Sequence, residues 1–228
     1  ACPMEEGSTF HVGSQCMHPD AYKLAIKLAK QVVRQAAVRI DSFDVGGGFP
    51  SIYPGMTPPA MEQYFAAIHE ATRDIVRAHG CRLMAEPGRA LVAESGGVIV
   101  RVEARKGDFL YLNDGTYGAL FDAGIPKFIF PARLLNRTGS DEETGYSFYG
   151  PTCDTLDFMK GPFMLPADIR EGDYLEIGQL GAYGRTMATR FNGFAIAQQP
   201  VVVKDAPLMS LYEEPLTERR IAALIARA

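Results

Sequence analysis

A chain of 228 residues, 47% hydrophobic and 22% charged, has an ordinary globular composition. It can bury roughly 70% of its unfolded surface, which excludes disorder, collagen-like repeats and a disulfide-stapled miniprotein. Lys plus Arg number 23 against 27 Asp plus Glu, a net charge of −4, so no nucleic acid is expected as a partner. The four cysteines, Cys2, Cys16, Cys81 and Cys153, show neither CxxC nor CxH spacing. They are expected to be reduced thiols of a cytoplasmic protein, with no disulfide frame and no metal site. No apolar run reaches the roughly 20 residues of a membrane span, and no signal-peptide order opens the chain, so neither a membrane nor a secretory context is expected.

Residues 1–94 alternate short apolar runs with helical patterns, the sign of strand-helix units on a parallel sheet. A strand is predicted at 8–12. A helix follows at 20–37, entered at Pro19, with Tyr22, Ala25, Ile26, Ala29, Val32, Val33 and Ala36 on one face. After a strand at 40–45, Thr57 and Pro58 predict a second helix start. Met61, Tyr64, Phe65, Ile68, Ile75 and Val76 give this helix its apolar stripe, and Gly80 its end. A third strand is predicted at 82–85. From 95 to 215 the period changes to that of a β domain, with strands predicted at 98–102, 109–112, 148–149, 174–177 and 189–191. A solvated loop is predicted at 136–145, and residues 216–228 carry a predicted terminal helix at 218–227. The expected fold class is therefore α/β plus β, with three βα units first.

Each of the three early strands runs into a polar turn with glycine: HVGSQ at 11–15, DVGGGFP at 44–50 and EPGR at 86–89. Sites in parallel sheets form at the carboxyl ends of strands, so three such turns are expected to surround one ligand. Glycine backbones allow close approach to an anion, and Arg89 adds a fork of donors suited to phosphate. A lone glycine cluster is usually just a turn, a lone His11 a structural histidine and a lone Glu86 a solvated carboxylate. Together at strand ends they point to a phosphorylated ligand with a flat ring, on which an imidazole can stack while a carboxylate neutralises a ring nitrogen.

FHVGSQ at 10–15, DVGGGFP at 44–50, AEPGR at 85–89, GPTCDTLD at 150–157, GAYG at 181–184 and FNGF at 191–194 occur in this order along the chain. This series resembles the ornithine/diaminopimelate/arginine decarboxylase family, pyridoxal-phosphate enzymes built from an alanine-racemase-like TIM barrel and a β domain. GPTCDTLD followed by GAYG and FNGF is most similar to the ornithine decarboxylase branch. The resemblance implies that His11 stacks on the cofactor ring and Glu86 pairs with its pyridine nitrogen. It implies that Ser14, Gly47, Gly48, Gly88, Arg89 and Tyr183 hold the phosphate. Cys153 and Asp154 would reach into a partner subunit's site, Cys153 to the reacting carbon and Asp154 to the distal amine of a basic amino acid. Phe191 would line that pocket, Asp122 would be a second anchor for the amine, and Tyr117 in NDGTYG would lie near the interface.

Family members also carry a Schiff-base lysine early in the barrel, in an AVK-like setting. None of the lysines at 23, 27, 30, 106, 127, 160 and 204 stands in such a setting. Three βα units stand where a barrel has eight, so roughly 150 residues of the fold are expected to be absent from this sequence. An open three-stranded sheet leaves edges uncovered, and an obligate homo-oligomer, or association with a complementary N-terminal fragment, is the expectation. Decarboxylation of a basic amino acid, ornithine first, is the expected activity of the enzyme of which this is a fragment. A catalytically silent remnant used in oligomerisation or partner binding is one alternative. A scaffold turned to hydrolysis, with Cys153, His11 or Glu86 as nucleophile or base, is another.

Overall fold

A computed structural model describes residues 6–194 and 200–212. The chain divides into two compact units. Of the described residues, unit 1 takes 6–51 and 56–92, and unit 2 takes 52–55, 93–194 and 200–212.

Unit 1 is a parallel sheet in the order β1 (Gly7–Thr9), β2 (Ser42–Asp44), β3 (Arg82–Met84), crossed by α1 (Asp20–Ala36) and α2 (Met61–His79). A short helix, α3 (Gly88–Val92), follows β3. Tyr22, Ile26 and Val33 of α1 and Tyr64, Ile68 and Ile75 of α2 pack on Phe43 and Phe49 to form its core. Asp20 in the first turn of α1 and Arg34 in its last suit the helix dipole. Gly80 ends α2 in the left-handed region at φ 66°, its N–H returning to the Val76 carbonyl at 2.9 Å.

Several expected boundaries move. The first strand stops at Thr9 because the next residues serve the glycine turns, and Phe10 carries the carbonyl against which Gly46 packs. The second keeps only Ser42–Asp44, and Ile40 turns its N–H to His79 Nδ1. The second helix begins at Met61, after an extended Ala60 at ψ 142°, and Thr57 does not cap it. Pro59 disfavours helical backbone at Pro58, so the fixed φ of Pro58 serves an extended entry rather than a first helical turn. Val32 is 63% exposed and Phe65 48%, so neither belongs to the core. Leu24, Leu28 and Val32 instead form a second apolar stripe of α1, spaced i, i+4, i+8 and open to solvent.

Unit 2 holds a six-stranded sheet in the order β6 (Ala132–Leu134), β9 (Tyr174–Ile177), β4 (Val98–Lys106), β5 (Phe109–Leu112), β7 (Glu143–Tyr149), β8 (Phe158–Pro166). All neighbours are antiparallel except β5 and β7. Val98, Val100 and Val102 alternate inward along β4, and Phe148 stacks on Phe163 at 4.1 Å. The expected strand at 148–149 is the end of a seven-residue strand, so half of the expected 136–145 loop is either β7 or its approach. The remainder of that loop is tied down, Arg137 binding Asp168 and Asp173 and Ser140 N–H donating to Asp168 Oδ1 at 2.9 Å. Residues 189–191 form no strand. They run from a short helix, α4 (Gly184–Met187), into a tight helical turn at Phe191–Gly193, where the left-handed backbone of Asn192 is incompatible with a ladder. The expected helix at 218–227 lies outside the described residues. Among the described residues no helix is long and apolar enough to cross a membrane.

Candidate active site

In unit 1 the three glycine turns converge. Glu86 N–H donates to the Gly46 carbonyl at 2.9 Å, and Cys16 N–H to the Gly48 carbonyl at 2.8 Å. Gly46 and Gly48 have φ of 67° and 103°, which a side chain strains to adopt. Space is equally restrictive: a Cβ on Gly46 would stand 1.8 Å from the Phe10 carbonyl oxygen, and one on Gly48 2.5 Å from that of Gly13. On Gly47 it would strike His11 Nε2 at 2.8 Å and the Glu86 carbonyl at 3.0 Å, so the imidazole, the glycine run and the start of EPGR share one small space. The core supports this turn directly, the buried Tyr22 hydroxyl donating to the Gly47 carbonyl at 3.0 Å. Burial pushes the Tyr22 phenol well above its usual range, which keeps it a neutral donor.

The side chains at these turns have defined states. Gly13 N–H donates to His11 Nδ1 at 2.9 Å, which ties the ring to the backbone of its own turn. Arg89 is only 5% exposed and donates to Ser14 Oγ at 3.2 Å, so the first and third turns are joined by a buried cation. Gly88 N–H returns to the Glu86 carbonyl at 2.8 Å, and the Glu86 side chain is exposed. His11, Ser14, Gly47, Gly48, Glu86, Gly88 and Arg89 therefore form one group. The three lysines of unit 1 all lie on α1, where Lys23 pairs with Glu70 and Lys30 with Asp74.

In unit 2 a second group gathers from three distant segments. Asp157, 1% exposed, accepts from Thr116 N–H at 2.7 Å, Thr116 Oγ1 at 3.1 Å and Thr152 N–H at 3.0 Å, which pins the 150–157 loop to the NDGTYG stretch. Gly115 and Gly150 leave room for that carboxylate, since a Cβ on either would meet Asp157 Oδ1 at 2.1 Å. Within the pinned loop Asp154 accepts from Leu156 N–H at 2.9 Å and from the Tyr117 hydroxyl. These two donors hold the Asp154 carboxyl below the usual range, and the same bond raises the Tyr117 phenol. Cys153 is exposed, and its sulfur accepts from Asn192 Nδ2 at 3.2 Å. Phe191 lies against Tyr117 with ring centres 4.6 Å apart. Cys153, Asp154, Tyr117 and Phe191 thus meet.

Two further expected residues, Tyr183 and Asp122, lie on short helical turns of unit 2. Tyr183 caps α4 at φ 62°, its carbonyl accepting from Met187 N–H at 3.1 Å. Asp122 sits on a tight turn (Phe121–Ala123), where its carbonyl takes Phe128 N–H at 2.8 Å. Asp157 and Asn192 escaped the sequence reading as site residues. Asn-Gly at 192–193 was the available signal for Asn192, since that dipeptide favours left-handed backbone.

Pyridoxal phosphate fits the first group on its geometry: a cradle that a Cβ would fill, a flat imidazole beside it and a buried guanidinium for a phosphate. The profile of the family described as "Pyridoxal-dependent decarboxylase, pyridoxal binding domain" matches residues 6–93. Antizyme inhibitor 2 from Xenopus laevis is 31% identical, covering 86% of this chain and 46% of its own length. Diaminopimelate decarboxylase from Haemophilus influenzae is 30% identical, covering 93% and 51%. Among solved structures, lysine/ornithine decarboxylase from Vibrio vulnificus, complexed with cadaverine, superposes with a TM-score of 0.69 at 31% identity, covering 83% of this chain and 52% of that one. The chain spans about half the length of the curated relatives it matches. With the turns, the fold and these likenesses in agreement, the chain belongs to the ornithine/diaminopimelate/arginine decarboxylase family.

Proposed function

We propose that this chain is the cofactor-turn and β-domain part of a basic-amino-acid decarboxylase, acting on ornithine first. The observation that carries the reading is the convergence of Gly47, His11, Glu86 and the Arg89–Ser14 pair in one cradle. Ser14, Gly47, Gly48, Gly88, Arg89 and Tyr183 would hold the phosphate, Glu86 the ring nitrogen and His11 the ring face. Bound there, pyridoxal phosphate supplies a sink for the electron pair left at the α-carbon when carbon dioxide departs. Cys153, exposed on its loop, delivers a proton to that carbon. Asp154, kept ionised by Leu156 and Tyr117, meets the distal ammonium of the substrate, and Phe191 walls off its methylenes. Asp122 is the second carboxylate offered to that ammonium.

Cys153 and Asp154 act in this reading in the site of a second copy, so the working form is a homodimer. The solvent-facing Leu24, Leu28 and Val32 stripe of α1 supports a further apolar partner surface, which a complementary lysine-bearing segment would cover. Cytoplasmic placement belongs to the same reading and rests on the free Cys16, Cys81 and Cys153.

Likeness to antizyme inhibitor 2, a protein named for its action on another protein, favours a second reading in which the scaffold binds a partner without turnover. Carbon dioxide release from ornithine, lysine and diaminopimelate separates the two. The chain should be assayed with pyridoxal phosphate, alone and with the lysine-bearing half of a relative. Release from ornithine by the complemented chain, lost in Asp154→Ala, is expected. Cofactor binding without release from any of the three, despite a formed complex, would favour the second reading.

A further inference from the structure

We infer that Asn192 is the positioning residue for the Cys153 thiol, an inference that rests on the reading of Cys153 as the proton donor. Asn192 sits inside the Phe191–Gly193 turn at φ 54° and ψ 13°, the left-handed region that asparagine enters more easily than other side chains. From that backbone its amide donates to Cys153 Sγ at 3.2 Å, across 39 residues of sequence. The turn is itself anchored: Phe191 N–H donates to Thr189 Oγ1 at 3.2 Å, and Thr189 N–H to the Tyr117 carbonyl at 2.7 Å. Tyr117 in turn binds Asp154, so one anchored assembly orients both neighbours in the Cys153-Asp154 pair.

The choice of side chain is informative. Glycine would supply the backbone angle without a donor, and aspartate would supply it with an acceptor facing the sulfur. Asparagine gives both the angle and an N–H. An N–H on the sulfur lone pair leaves the S–H directed elsewhere, toward the atom that receives the proton. When the S–H bond breaks and its proton passes to the α-carbon, the electron pair stays on sulfur, where the amide N–H already stands to stabilise it.

The test reads the thiol directly and needs no turnover. The alkylation rate of Cys153 by iodoacetamide is followed at pH 7.5 by peptide mass spectrometry on the full chain, with Cys16 as the internal control. Alkylation proceeds through the thiolate. Asn192→Asp, nearly isosteric and tolerant of the same backbone angle, should slow Cys153 about fivefold or more through like-charge repulsion. Asn192→Gly should slow it by a smaller factor, with the Cys16 rate and the thermal midpoint unchanged in both. A wild-type Cys153 rate in folded Asn192→Asp would overturn the inference, and so would one in Asn192→Gly should the aspartate variant fail to fold. Failure of the proton-donor reading shows separately: alkylation would still depend on Asn192, while Cys153→Ser would leave the decarboxylation products and their rate unchanged.

Discussion

The two groups of site residues are built from opposite materials. In unit 1 the cradle is made by backbone, with glycines at positive φ packed against carbonyl oxygens and one buried arginine closing the gap between turns. In unit 2 the loop carrying Cys153 and Asp154 is held by side chains, through the Asp157 carboxylate, the Tyr117 hydroxyl and the Asn192 amide. A backbone cradle fails by steric crowding and is indifferent to pH, whereas a carboxylate-held loop fails by loss of charge. The division suits the proposed roles, since a phosphate needs a rigid set of donors and a substrate loop needs charge that can meet an ammonium.

The largest expected effect breaks the second group. Asp157→Asn puts amide hydrogens against donors that a carboxylate accepted, in a site 1% exposed, and should cost unit 2 about 3 kcal/mol in urea unfolding. A loss below about 1 kcal/mol would mean that the loop is held by something else. Next comes the support beneath the β domain. Burial pushes Asp173 up, but the hydrogen bonds from Arg137 and Arg170 N–H outweigh it, so the carboxyl titrates below its usual range, as does Asp168 beside Ser140 N–H and Arg137. Both folded values are depressed, so this stability is fully present above the ordinary carboxylate pKa of about 4 and is lost as pH falls through the folded values. Asp173→Asn, at a position 2% exposed, should cost about 2 kcal/mol at pH 7 and flatten the acid limb of the unfolding midpoint against pH.

Gly48→Ala sharpens the contrast from the other side. Its φ of 103° and the 2.5 Å approach to the Gly13 carbonyl should cost unit 1 about 1 to 2 kcal/mol, by the same amount at pH 5 and pH 8. A clear pH dependence in that loss would erase the distinction between the two groups. Tyr117→Phe is the mildest change. Leu156 N–H remains, so Asp154 should stay ionised at neutral pH, but its carboxyl should titrate higher than in the wild type, read by carboxyl-carbon NMR. An unmoved titration would show that the Tyr117 hydroxyl does not bear on Asp154.

The same opposition decides what could be read in advance. Backbone constraints leave local marks, so Gly46 to Gly48 after a strand, Gly13 and Gly88 announced the cradle, and Arg89 its anion. Amphipathic spacing locates α1 and α2, but it does not separate Val32 from the core, because α1 has two apolar stripes and no single inward face in its sequence, and Phe65 of α2 stays half-exposed while its ring lies against Phe49. β8 carries Gly161-Pro162 at its centre, which reads as a break. The sheet tolerates it because β8 lies at the edge. Asn192 and Cys153 are 39 residues apart, and Tyr117 and Asp154 are 37 apart. No local rule pairs such residues, and only the fold brings them together.

Equilibrium dialysis of the purified chain against pyridoxal phosphate, in wild type, Arg89→Met and Asp154→Asn, tests the central claim most directly. One saturable site, weakened at least about tenfold by loss of the buried guanidinium and unmoved by Asp154→Asn, is the predicted result. Absence of binding by the folded chain, or binding that Arg89→Met leaves intact, would contradict the assignment of the cofactor to the unit 1 cradle.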